Sequence, residues 1–199
     1  TNGANRPIFE NTVGPAVTLA NNNLFAGFDI NNTQGTAVLG SGITGSKIRD
    51  VDINGTVGAG AHGVELQNSS GVITLENVNV TGTQGNAFYV TGGDAAVVYN
   101  SGTINNNSGF AVLLENNAGS VNMSGVSVTD VGGLGVEVTG SASQNTFGNL
   151  TLTNTVGNAI NLLNSTGLNS FLDNVTISGA TVDGIFAQGI SGIAKFQNP

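Results

Sequence analysis

The chain has no cysteine, no tryptophan, one histidine and three prolines in 199 residues. Without cysteine there is no disulfide framework, no thiol nucleophile and no structural zinc site, and the sole histidine, His62, cannot build a multi-histidine metal centre. Cations are almost as scarce: Arg6, Lys47, Arg49 and Lys195 stand against twelve carboxylates, for a formal charge of −8. Such a surface has no patch for phosphate, which argues against nucleic acid and anionic membranes as partners. Charged residues of both signs make up 8% of the chain, about a third of the usual share. Solubility must therefore rest on Asn, Ser, Thr and Gly. No apolar run approaches the ~20 residues of a membrane-spanning helix, and no charged-then-apolar leader opens the chain. The expectation is an exported segment, extracellular or at a cell surface, whose signal has been removed or lies outside this sequence; the lack of cysteine suits passage through an envelope.

Glycine is abundant, at 31 residues, and with so few prolines it cannot belong to a collagen. It points to frequent turns with positive φ. The turns recur with a period. A small residue followed by an apolar, any, apolar triplet appears at Ala16-Val17, Ala37-Val38, Gly63-Val64, Ala87-Phe88, Ala111-Val112, Gly135-Val136, Ala159-Ile160 and Gly184-Ile185. In eight copies the small position never exceeds alanine. A second apolar column runs through Phe9, Ile30, Ile53, Val80, Ile104, Val128, Leu152 and Ile177, and a third through Phe25, Ile48, Leu75, Tyr99, Met123, Phe147, Leu172 and Phe196. After the second column the chain places Asn32, Gly55, Gly82, Asn106, Asp130, Asn154 and Gly179, residue types that reach the left-handed region at least cost.

Three strand positions per unit of about 24 residues, repeated eight times, predict an all-β fold: a single right-handed parallel β-helix with three parallel sheets. Right-handed winding follows from the chirality of parallel crossovers. A leucine-rich repeat of similar period fails because its asparagine is missing and the rest of each unit is glycine-punctuated and β-branched. A left-handed hexapeptide helix fails because apolar residues do not recur every six positions. Rungs at ~4.8 Å make a rod of 35 to 40 Å. The chain reads as one domain over residues 1–199, without linkers and without caps on its terminal rungs. A segment of a longer protein is the expectation, with neighbouring rungs or domains of that protein against its ends.

The assembled repeats resemble the parallel β-helices of the pectate-lyase-like superfamily. Gly157-Asn158-Ala159-Ile160 and Phe171-Leu172-Asp173-Asn174 are similar to the GGAI and FxxN motifs of polymorphic outer-membrane autotransporter passengers. The resemblance implies a rod-like passenger or stalk. Superfamily polygalacturonases carry N-T-D, D-D, G-H-G and R-I-K signatures; here only Ala61-His62-Gly63 and a reversed Lys47-Ile48-Arg49 are found, so no catalytic residue carries over.

Charge concentrates on rungs two and three, at Asp29, Lys47, Arg49, Asp50 and Asp52. Asp29 and Asp52 are expected to stack outward about 5 Å apart, a separation suited to Ca²⁺ or to glycoside hydrolysis. The simpler reading has Asp replacing Asn at solvated positions, offset by the nearby Lys and Arg. His62 adjoins a five-residue insertion, Val57–Ala61, and reads as a loop residue. The outward triplet position holds Leu39, Glu65, Tyr89, Leu113, Glu137, Asn161 and Phe186, of which Tyr89, Leu113, Glu137 and Phe186 are the candidates for a glycan or protein contact face. Paired Thr, Ser and Asn files, such as Ser127/Thr129 and Thr151/Thr153, resemble an ice-binding array. No cofactor or metal is expected beyond that Ca²⁺ option. The leading expectation is a non-catalytic adhesin-like rod, against a polysaccharide lyase or hydrolase as the competing class.

Overall fold

Left-handed corners set the path of the chain in the computed structural model, which describes residues 6–197. All seven residues predicted for the corner after the second column, from Asn32 to Gly179, have positive φ, between 51° and 86°. A second corner lies between the third and second columns, at Asp50, Asn77, Ser101, Gly125 and Asn149. A third follows the triplet, at Asn68, Asn116 and Asn164.

The coil has about eight turns, and the described residues contain strands and turns but no helix. Strand pairing is parallel throughout. One eight-stranded sheet consists of the short triplet strands, from Val17–Thr18 through Val64–Gln67, Phe88–Thr91, Val112–Glu115 and Val136–Thr139 to Ile185–Gln188. The other, eleven-stranded sheet carries the two remaining columns. Three faces are present, but hydrogen bonding joins two of them. Long strands such as Thr44–Thr56 and Val121–Val131 pass round the second corner without leaving the sheet. Farther along, the same path divides into Asn145–Gly148 and Thr151–Thr155.

The predicted columns are the register of these sheets. Phe9, Ile30, Ile53 and Val80 are Cα partners in succession, as are Val64, Phe88, Val112 and Val136. One assignment is corrected. Phe171, and not Leu172, pairs with both Phe147 and Phe196. Phe171 is buried, and its ring stacks 4.9 Å from each neighbour. The extra residue of that rung lies in the corner: Phe171 to Ile177 spans six positions where Phe147 to Leu152 spans five. The insertion beside His62 is likewise shorter than expected. Thr56 to Gly63 spans seven positions against four from Thr83 to Ala87, so three residues are additional, while Thr56 stays paired with Thr83 and Val64 with Phe88.

Size complementarity between columns fills the core. A Cβ on Gly63 would sit 2.5 Å from the Ala87 carbonyl oxygen and 2.6 Å from a Val80 methyl, so this rung requires glycine where most others hold alanine. Tyr99 is the largest fully buried side chain. Its ring packs beside Gly102, the partner of Val126, where a Cβ would lie 3.1 Å from the ring and overlap the Val78 carbonyl oxygen. The Tyr99 hydroxyl donates to that same oxygen at 2.8 Å, and burial raises its pKa. Toward the C-terminal end, polar side chains enter the interior. Asn145 and Asn169 follow Val97 and Val121 in one inward file and are hydrogen bonded to each other at 2.9 Å. Ser143 and Ser165 supply further partners. None of the described residues forms a helix long and apolar enough to cross a membrane.

Candidate functional site

Alternation along the long strands brings Asp29 and Asp52 outward as Cα partners, with Asn79 next in the file. The stacked carboxylates are there as the repeat predicted, and they are already engaged. Arg6 reaches across from just before the strand Ile8–Glu10, its Nη1 donating to Asp52 Oδ2 and lying 3.0 Å from Asp29 Oδ1. The contact with Asp29 is an ion pair without hydrogen-bond geometry. Nη2 donates to the carbonyl oxygens of Phe28, at 2.7 Å, and Asp50. On its other side Asp52 accepts from the Asn79 amide at 2.7 Å. A guanidinium lodged between two carboxylates bridges both and offsets one of their two negative charges.

The other charged candidates are dispersed around this clip. Asp50 occupies the left-handed corner at φ 54°, and the Asn77 amide at 2.9 Å, helped by Arg49, holds its carboxyl below the ordinary value against a smaller opposing effect of desolvation. Arg49 Nε lies 3.3 Å from Asp50, and Lys47 Nζ lies 2.6 Å from Glu76. These pairs are largely exposed and contribute little to stability. The same outward face continues in polar files. Asn79 Oδ1 accepts from both the amide and the hydroxyl of Thr103, and Ser178 bonds Thr153 at 3.5 Å, so several of these groups satisfy one another rather than water.

His62 joins a different neighbourhood, on the short-strand sheet. Its Nδ1 accepts the Asn86 backbone N–H at 2.9 Å, which fixes the proton on Nε2, and its ring lies 5.0 Å from that of Tyr89. Burial lowers its pKa, an effect that the nearby Glu65 charge partly opposes. Glu65, only 9% exposed, accepts from the Thr36 hydroxyl at 2.9 Å and the Gln67 amide at 2.6 Å. Tyr89 donates its hydroxyl to Glu115 at 2.6 Å, and desolvation together with that acceptor raises its pKa. Glu137 accepts from the Asn161 amide at 2.8 Å. Leu39, Glu65, Tyr89, Leu113, Glu137, Asn161 and Phe186 do form one continuous outward file.

Sequence reasoning placed the Asp29–Asp52 stack but missed Arg6 as its partner. A signal was available: Ile8 pairs with Asp29, so Arg6, two residues earlier, shares that outward face. It also passed over Glu115, although the alternation that puts Leu113 outward puts Glu115 outward too. Among the described residues no three His, Cys, Asp or Glu side chains converge as metal ligands.

Parallel rungs with inward columns, left-handed corners and no helix define a parallel β-solenoid. Residues 27–198 match the family model of the right-handed β-helix region, and the chain belongs to that family. No curated protein and no solved structure matches the chain.

Proposed function

We propose that the chain is a non-catalytic, adhesin-like β-helical rod of a bacterial surface or secreted protein, with its short-strand sheet as a contact face for glycan or protein. One observation carries this reading: the paired carboxylates that an enzyme would need, Asp29 and Asp52, are already engaged by Arg6 and Asn79. The outward file of Tyr89, Leu113, Glu137 and Phe186 has the mixed apolar and polar character of a recognition surface. The motif resemblance to autotransporter passengers supports the same role, and an extracellular location without a nucleic-acid partner is part of this proposal.

The test is a binding screen on glycans and cell-surface proteins, with Leu113→Ser and Phe186→Ser as variants. Weakened binding in both is expected; wild-type affinity would remove this face from consideration. The rival enzyme reading is tried by incubating acidic and neutral polysaccharides with the chain, with and without Ca²⁺. Turnover that Asp52→Asn abolishes would replace the rod with a lyase or hydrolase.

A further inference from the structure

Charge is divided between the two sheets. All four cations of the chain belong to the long-strand side: Lys47 and Arg49 on Thr44–Thr56, Lys195 on Ile193–Gln197, and Arg6 bound against Asp29 and Asp52. The short-strand sheet carries Glu65, Glu115 and Glu137 on its outer surface and no lysine or arginine. Neutral donors orient all three: Thr36 and Gln67, the Tyr89 hydroxyl, and Asn161. Neutral donors fix a carboxylate without cancelling its charge, so this face presents uncompensated negative potential. Between the carboxylates stand the Tyr89 ring and the Leu113 side chain, both half-buried.

We propose that the short-strand sheet docks an extended, basic segment of another polypeptide, with lysine or arginine side chains set on Glu115 and Glu137 and against the Tyr89 ring. This rests on the proposed contact face and names its partner chemistry. Glu115 and Glu137 lie on adjacent rungs two residues apart in register, about 8 Å between Cα atoms. In an extended segment, alternate residues project from one side ~6.7 Å apart, so two cations separated by a single residue reach both carboxylates. An aromatic face beside fixed carboxylates suits a cation, and Leu113 suits the aliphatic stem of the same side chain. Glu65 is too buried to touch the partner and adds to the field. A glycan could stack on Tyr89, but a neutral one leaves the charge unanswered.

The experiment measures binding of a ten-residue peptide of alternating lysine and threonine, with an alternating glutamine and threonine peptide as control, at two salt concentrations. The lysine peptide alone should bind, more weakly at the higher salt. Glu115→Gln combined with Glu137→Gln should lower its affinity at least about tenfold, as expected for loss of two complementary charges. Asp130→Asn, which removes one charge at a corner of the other sheet, should change it less than about twofold. Tyr89→Phe keeps the ring and should keep binding, whereas Tyr89→Leu should weaken it. Urea midpoints confirm that each variant is folded. Equal binding of both peptides, or indifference to the paired glutamate substitutions, overturns the proposal. So does tighter binding of a glucosamine oligomer than of the lysine peptide. If glycan or protein binding is lost in Leu113→Ser while the glutamate substitutions have no effect, the contact face stands and the basic partner falls.

Discussion

Rungs two to four and rungs six and seven differ in where they place polar side chains while filling the same coil. The earlier rungs are irregular in sequence, with charges, a histidine and an insertion, yet their interior is largely apolar: Ile48, Val51, Ile53, Leu75 and Val78 are fully buried, and the buried threonines Thr33, Thr56 and Thr83 stand at strand ends. Rungs six and seven are nearly regular in spacing, yet bury Ser141, Ser143, Asn145, Ser165 and Asn169. Regular spacing thus reports register and says little about what occupies the core. In the earlier rungs, irregularity is pushed outward into turns and ion pairs. In the later ones, polarity is admitted inward and satisfied along the rod axis, one rung bonding the next.

The junction of the two halves, at Tyr99 and Gly102, should be the most sensitive place to break this contrast. Gly102→Ala is expected to cost about 3 kcal/mol or more in urea unfolding, because the added methyl meets backbone. Tyr99→Phe should cost about 1–3 kcal/mol by leaving the Val78 carbonyl without its hydroxyl donor. Next in size, Asn145→Val strands the Asn169 carbonyl oxygen and removes the acceptor of Ser143, at about 2 kcal/mol. Adding Asn169→Val extends the apolar file of Val97 and Val121 and should recover part of that loss, so the pair is non-additive. If the double substitution is worse than the sum of the two, the later rungs depend on their polar interior and the contrast is sharper than drawn.

In the earlier half, Arg6→Ala leaves Asp29 and Asp52 facing each other and should cost about 1 kcal/mol, held down by partial exposure. In an Asp29→Asn background the cost should shrink, as a double-mutant cycle would show. The smallest effect concerns His62. Its folded pKa is depressed below 6.5, so its contribution to stability is full above that value and declines as pH falls through 6.5 toward the folded pKa. Unfolding measured between pH 5 and 8 should show a shallow loss on the acid side that His62→Gln lacks.

Much of the fold was legible because a solenoid repeats its constraints. A small residue before each triplet, an Asn, Asp or Gly at nearly every corner and an apolar residue every second position identify the columns. The slip at Leu172 arose where one extra corner residue, in Asp173-Asn174, is invisible to a fixed period. Of the candidate site, the Asp29–Asp52 stack was readable from register. Register puts Arg6 near the same face, but its reach to Asp52, 46 positions away, depends on a side-chain path that follows no repeat.

Sequence alone determined the rung, its corners and its inward columns, since backbone conformational preference and burial recur locally in each copy. The tertiary structure decided which charges meet. It set a guanidinium between two stacked aspartates and kept every lysine and arginine away from Glu65, Glu115 and Glu137. Charge pairing depends on distance across rungs and around the coil, and a one-dimensional pattern does not contain that distance.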